Sequence, residues 1–240
     1  MDLIKSVRVG ADIGGTFTDI VVLGADRSVR TLKLLSTPAD FGRAIVDGLQ
    51  GFLAGAALPP GSVAEIDHGT TVATNAILEK KGARVGLLTT RGFRDVLEIR
   101  RVRLPVLYDL TWQKPEPIVP RELRLEVPER VGADGEVREP LDLEAARAAM
   151  EKLKAKGVEA LAVCFLHSYA RPDHELAVGE LARQYFEQVS LSCEVLPELR
   201  EYERTITTVV NAAVQPHVSR YVANLDDKLT SAGIHGRLCI

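Results

Sequence analysis

Between Val7 and Leu23 two β-branched runs flank Asp12-Ile13-Gly14-Gly15-Thr16-Phe17-Thr18-Asp19, and no other stretch restricts the fold of this chain so tightly. Strand-like runs on either side of a glycine pair are the pattern of a β-hairpin. Gly14 and Gly15 can take the positive φ of a tight turn, and lacking β-carbons they let a phosphate approach the backbone N–H groups. Thr16 and Thr18 add hydroxyl donors. Asp12, at the end of the first strand, stands where a carboxylate can hold a hydrated Mg²⁺ beside the terminal phosphates of a nucleotide. An ordinary hairpin, with Asp and Thr spent on turn hydrogen bonds, uses the same residues. A P-loop needs Lys-Ser/Thr opening a helix and a dinucleotide fingerprint needs G-x-G-x-x-G opening a helix. Here Ile20-Val21-Val22-Leu23 continues as strand instead.

The 240 residues, 46% of them hydrophobic, suffice for one large or two small domains. A net charge of −3 with acidic and basic residues interspersed gives no electrostatic support to nucleic-acid binding. There is neither a secretory pattern at Met1–Ser6 nor an apolar run of bilayer-spanning length, so the expectation is a cytoplasmic protein without a membrane partner. Cys164, Cys193 and Cys239 are odd in number, far apart and set in apolar contexts. They read as reduced buried thiols, none of them a nucleophile.

Strands are expected at Val7–Asp12, Phe17–Leu23 and Val29–Leu35, close enough together for an antiparallel meander. Phe41, Ile45, Leu49 and Phe52 recur at helical spacing within Ala39–Ala54. A short strand near Glu65–His68, a helix over Thr71–Lys80 ending at Gly82, and a strand Val85–Thr89 follow. Arg100–Pro120, with four prolines and the only Trp, reads as an irregular excursion. Beyond it, Leu123–Val127 alternates like a half-exposed strand and Gly132-Ala133-Asp134-Gly135 supplies a turn, which together read as a small β insertion. Helices over Leu143–Lys156 and Pro172–Gln188 alternate with strands over Leu161–Leu166 and Leu191–Val195, and Thr205–Leu229 reads as one long helix containing Pro216. The fold class is α/β, a mixed sheet opening with a meander and flanked by helices. Gly236–Ile240 reads as the start of a strand, so the chain is expected to be a fragment of a longer protein.

Three segments together narrow the function: Ala11-Asp12-Ile13-Gly14-Gly15-Thr16-Phe17-Thr18-Asp19, Asp67-His68-Gly69-Thr70-Thr71-Val72-Ala73-Thr74-Asn75-Ala76 and Thr89-Thr90-Arg91-Gly92-Phe93-Arg94-Asp95-Val96-Leu97-Glu98-Ile99. In order and spacing they resemble the hydantoinase A/oxoprolinase family. Leu107-Tyr108-Asp109-Leu110, Glu201-Tyr202-Glu203-Arg204-Thr205 and Asn211-Ala212 extend the likeness over nearly the whole chain. That family includes ATP-dependent 5-oxoprolinases, N-methylhydantoinases and subunits of acetone- and acetophenone-type carboxylases, all longer than this chain. The resemblance implies an actin/hexokinase/Hsp70-like (ribonuclease H-like) N-terminal domain over residues 1–198. Residues 199–240 would then carry a long helix and the start of a second domain. It also implies ATP and Mg²⁺ as cofactors, a cyclic amide such as a hydantoin or 5-oxoproline as substrate, and a second hydantoinase-type subunit as partner. An isolated N-terminal part is expected to be inactive. A carboxylase subunit and a nucleotide-binding module without catalysis are the alternatives. Where the common pattern has Gly-Arg-Gln, this chain has Arg100-Arg101-Val102-Arg103-Leu104-Pro105, so the resemblance does not carry over one branch's substrate.

On this resemblance Asp12 coordinates Mg²⁺, Gly14, Gly15, Thr16 and Thr18 contact phosphates, and Asp19 supports the hairpin or approaches the metal. Thr70, Thr71 and Asn75 bind phosphate or substrate, or Thr70 or Thr71 simply caps a helix. His68 is a general base or a hydrogen-bonded core histidine. Arg94 and Arg101 are candidates for gripping a substrate carboxylate within a charge-rich run that is otherwise a solvated face. Glu203 and Arg204 line a cleft or pair at a helix start. His167, His174, His217 and His235 lack the spacing of a zinc site.

Overall fold

A computed structural model describes residues 6–37, 40–101, 109 and 111–240, and of Phe41 only the backbone. Arg103 and most of the Leu107–Leu110 motif lie outside the described residues. The chain forms two compact units, residues 1–75 with 217–240, and residues 76–216. These divide the chain elsewhere than at residue 198.

The first unit is built on β1 (Val7–Ile13), β2 (Phe17–Gly24) and β3 (Val29–Leu35), which pair antiparallel as a meander. After α1 (Phe41–Gly55), β4 (Val63–Thr70) returns parallel to β1, and β11 (Arg237–Cys239) lies parallel to β4. The sheet order is β11-β4-β1-β2-β3, a mixed sheet. Period-two alternation decides its faces. In β1, Val7, Val9, Ala11 and Ile13 are buried while Arg8 and Asp12 point to the open face. Ile45, Leu49 and Leu53 of α1 fill the covered face, four residues apart on one helix side, each contributing about 1.5–3 kcal/mol by burial.

The second unit is a parallel sheet in the order β10-β9-β5-β6, from β5 (Val85–Thr90), β6 (Arg124–Val127), β9 (Ala160–Cys164) and β10 (Gln188–Leu191). Every residue of β5 and β9 is buried, as a sheet covered on both faces requires. Helices α4 (Leu143–Ala155) and α5 (Asp173–Ala182) pack on it. Helix α2 (Val72–Leu78) starts in the first unit, and the short helix α3 (Val96–Ile99) follows β5. The long helix α7 (Glu201–Ser231) contributes residues 201–216 to the second unit and 217–231 to the first, and it contains Pro216 as expected.

Several sequence expectations shift. Arg124–Val127 is not part of an insertion but pairs with β5 in the main sheet. Arg124 and Val127 are both buried, and the Arg124 guanidinium is compensated there by donating to Val119 O at 2.8 Å and to Glu98 at 3.0 Å. The small hairpin is β7 (Arg130–Val131) with β8 (Val137–Glu139), and Gly135 at φ +78° makes its turn. Helix α5 stops at Ala182, and the strand lies at 188–191 rather than 191–195. The Cys193 N–H that a longer strand would give to its ladder goes to the buried Glu175 carboxylate at 2.8 Å, so Ser192–Val195 closes into a helical turn, α6. After α2 it is Lys80, φ +53°, that turns left-handed, not Gly82. Of the cysteines only Cys164 is fully buried; Cys193 and Cys239 are partly exposed.

Candidate functional site

Antiparallel register puts Asp12 of β1 opposite Asp19 of β2, and parallel register puts it beside Gly69 of β4. All three therefore lie on the open face of the first unit's sheet. A β-carbon on Gly69 would sit 3.2 Å from Asp12 Oδ1, so glycine leaves the space beside that carboxylate. Asp12 is exposed, while Asp19 is held by Lys33 Nζ at 3.0 Å.

Just beyond Asp12 the hairpin closes through Gly14 N–H donating to Phe17 O at 2.9 Å. Neither Gly14 nor Gly15 has a positive φ, so the turn does not need them for that reason. Gly15 matters for openness: no atom lies within 4 Å of where its β-carbon would be. The N–H groups of Gly15 and Thr16 make no hydrogen bond among the described residues, and both residues are exposed. Two consecutive N–H groups on this exposed loop tip are thus free to donate to a ligand. Ser36, which sequence reasoning passed over, braces this loop: its hydroxyl donates to Gly14 O at 2.8 Å and its N–H to Thr16 O at 2.9 Å. Thr18 is placed away from this face. It is fully buried, with its hydroxyl 3.0 Å from that of Ser36, so it supports the loop from below rather than facing a ligand.

The second motif continues the row. Thr71 Oγ1 donates to Ile13 O at 3.2 Å and accepts from Asn75 Nδ2 at 3.4 Å, which ties the end of β1 to the start of α2. Thr70 Oγ1 accepts from Val72 N–H at 3.2 Å, the capping arrangement. His68 faces the core, 4% exposed, with Nδ1 3.0 Å from Ala11 O and Nε2 2.6 Å from the Tyr221 hydroxyl. Burial holds its pKa below the ordinary 6.5, opposed by the Ala11 hydrogen bond and the Asp12 charge. Nothing in the sequence singled out Tyr221, because its partner is 153 residues away.

Arg94 and Arg101 belong to the second unit. Arg101 makes a two-pronged ion pair with Glu203, Nε to Oε1 at 2.8 Å, which holds Glu203 below the usual carboxylate range. Arg204 is wholly buried. It donates to Glu201 at 2.8 Å, to Phe165 O at 3.2 Å and to the Ser168 and Ser192 hydroxyls, and it lies 3.7 Å from the buried Glu175. Among the described residues, the ligand atoms of Glu65, Asp67 and Cys239 cluster on the open face. Arg8 already pairs both carboxylates.

Comparison with known proteins gives the family of the chain. Caprolactamase subunit alpha of Pseudomonas jessenii is 39% identical over 230 residues, 92% of this chain and 33% of that protein. The gamma subunit of acetophenone carboxylase from Aromatoleum aromaticum is 34% identical over 256 residues, 98% of this chain and 34% of that one. The crystal structure of ATP-dependent caprolactamase from Pseudomonas jessenii superposes with a TM-score of 0.87 at 36% identity, over 96% of this chain and 35% of that one. The chain thus spans about a third of the length of these relatives. The family model for the hydantoinase/oxoprolinase N-terminal region matches residues 8–186, and the chain belongs to the hydantoinase/oxoprolinase family.

Proposed function

We propose that this chain carries the phosphate-binding part of an ATP-dependent enzyme that opens a cyclic amide. Asp12 holds Mg²⁺ through water, and the N–H groups of Gly15 and Thr16 with the Thr16 hydroxyl receive the terminal phosphates. The observation that carries the reading is the exposed Asp12 carboxylate, with Gly69 leaving space beside it, next to two consecutive N–H groups without protein partners. An acid alone would hold a cation and a loop alone an anion; adjacent, they suit a metal–phosphate pair. The residues therefore fit Mg²⁺ and ATP. The strand order, a three-stranded meander followed by two parallel strands, supports a ribonuclease H-like fold of the actin and Hsp70 kind.

An amide carbonyl is resonance-stabilised and resists water. Bound ATP would supply a phosphoryl group to the amide oxygen and so activate the ring carbon toward water: one water would open the ring as the C–N bond breaks and the nitrogen takes a proton, and a second would release phosphate. What the chain contributes is placement and charge neutralisation, by Asp12 at the metal and the loop N–H groups at the phosphate oxygens. The Lys33 ammonium leaves Asp19 a support for the hairpin rather than a second metal ligand. Arg94 and Arg101 are retained as contacts for a substrate carboxylate, Arg101 after release from Glu203. The relationship to caprolactamase supports the amidohydrolase reading. The 34% identity to a carboxylase subunit over nearly the whole chain supports the alternative of a carboxylase. Both relatives are named as subunits, which supports a partner chain.

Phosphate release by the full-length protein with its partner chain separates the two. Stimulation by 5-oxoproline, a hydantoin or caprolactam supports amide opening, and stimulation only by a ketone with bicarbonate moves the protein to the carboxylases. Without either, ATP binding alone would leave a nucleotide-binding module.

A further inference from the structure

His68 sits immediately before Gly69 and beneath Asp12, yet its ring is closed off from the open face. A carbonyl oxygen only accepts, so the 3.0 Å contact with Ala11 O puts the proton on Nδ1. Nε2 of the neutral ring is then an acceptor, and the Tyr221 hydroxyl 2.6 Å away is its donor. From these contacts we infer that His68 and Tyr221 are positioning residues of the phosphate site: together they fix the Ala11 carbonyl before Asp12 and the β4 backbone that leads into Gly69, and His68 transfers no proton. This rests on the phosphate-site reading above.

The geometry leaves no lone pair for a substrate proton. A general base must reach the proton it removes with a free acceptor, and both ring nitrogens of His68 are engaged inside the core. The two rings lie 5.7 Å apart between centroids at an interplanar angle of 51°, tilted rather than stacked. Burial favours the neutral form of each: it lowers the pKa of His68 and pushes the Tyr221 hydroxyl up to about 12. Tyr221 stands on α7, so the same hydrogen bonds tie the ends of β1 and β4 to that helix.

Three variants of the full-length protein test this: Tyr221→Phe, His68→Gln, which keeps one donor and one acceptor, and Asp12→Asn as control for the site itself. Long-range proton–nitrogen correlation spectra of the wild type should show His68 as the Nδ1–H tautomer. Tyr221→Phe should weaken Mg·ATP binding about fivefold, the loss of one hydrogen bond. His68→Gln should keep kcat within tenfold of wild type, whereas loss of a general base costs roughly 10²–10⁴-fold. The inference is overturned by an Nε2–H or doubly protonated His68 at neutral pH. It is equally overturned by Tyr221→Phe binding within twofold of wild type, or by a larger loss of kcat in His68→Gln at unchanged nucleotide affinity. If Asp12→Asn binds Mg·ATP as well as wild type, the phosphate-site reading fails instead, and the tautomer still decides whether His68 is sealed.

Discussion

Replacing Arg204 by Met probes the most heavily committed polar group of the second unit. The guanidinium is wholly buried and compensates Glu175, whose carboxylate is also wholly buried and accepts from Phe165 N–H at 2.6 Å, Ser192 Oγ at 2.7 Å and Cys193 N–H at 2.8 Å. Methionine follows the arginine side chain as far as Nε and omits the guanidinium, so the larger part of the cost is electrostatic: one buried carboxylate loses its cation, and Phe165 O and two hydroxyls lose a donor. Breaking a buried pair from one side costs about 3–5 kcal/mol. Arg204 Nε is buried without a hydrogen bond, a penalty the wild type already carries, so the loss should fall near 3 kcal/mol. For a unit of this size that lowers the melting temperature by about 10 °C. Urea unfolding followed by far-ultraviolet circular dichroism measures it, and adding Glu175→Gln to Arg204→Met should recover about 1 kcal/mol by removing the stranded charge. A loss below about 1 kcal/mol for Arg204→Met would refute the claim that this cation compensates Glu175.

Gly69→Ala would put a β-carbon 3.2 Å from Asp12 Oδ1, so the carboxylate must shift by a few tenths of an ångström; Mg·ATP affinity should fall about tenfold in calorimetry while the melting temperature changes little. Because the folded state holds His68 below its ordinary 6.5, the unfolded chain takes up that proton first. His68 therefore leaves stability intact above pH 6.5 and erodes it as pH falls from 6.5 through the folded value, and His68→Gln should flatten that limb of a pH–stability curve. Cys164 and Cys193 have thiols pushed up to about 12, by burial first and then by the Glu175 charge. At pH 8 a thiol reagent followed by mass spectrometry should modify neither in the native protein, although Cys193 is partly exposed.

The meander and its loop were legible because period-two alternation and a glycine pair are local signals, and β1, β2 and β3 fall where the pattern puts them. Residues 172–195 were not. Apolar spacing there fits helix or strand equally, and the choice is made by the parallel register of β10 on β9 and by Glu175 capturing Cys193 N–H, both long-range. At the site, Asp12, Gly15 and Thr16 stand out in the sequence by residue type. The inward turn of Thr18 follows from pleat parity, since it lies one residue from Asp19 on the same strand, and parity was the available signal. Ser36 and Tyr221 could not be read, because a serine after a strand and a tyrosine on a long helix acquire meaning only through partners that folding brings together. Arg204, adjacent to Glu203 in one motif, takes the opposite environment: Glu203 pairs at the surface with Arg101, while Arg204 points into the core.

Binding of Mg·ATP by calorimetry, wild type against Asp12→Asn, tests the account most directly. Saturable binding that needs Mg²⁺ and weakens at least about tenfold in Asp12→Asn, roughly 1.4 kcal/mol, is the predicted result. Equal affinity in the two proteins, or binding indifferent to Mg²⁺, would contradict a metal–phosphate site at the β1–β2 loop.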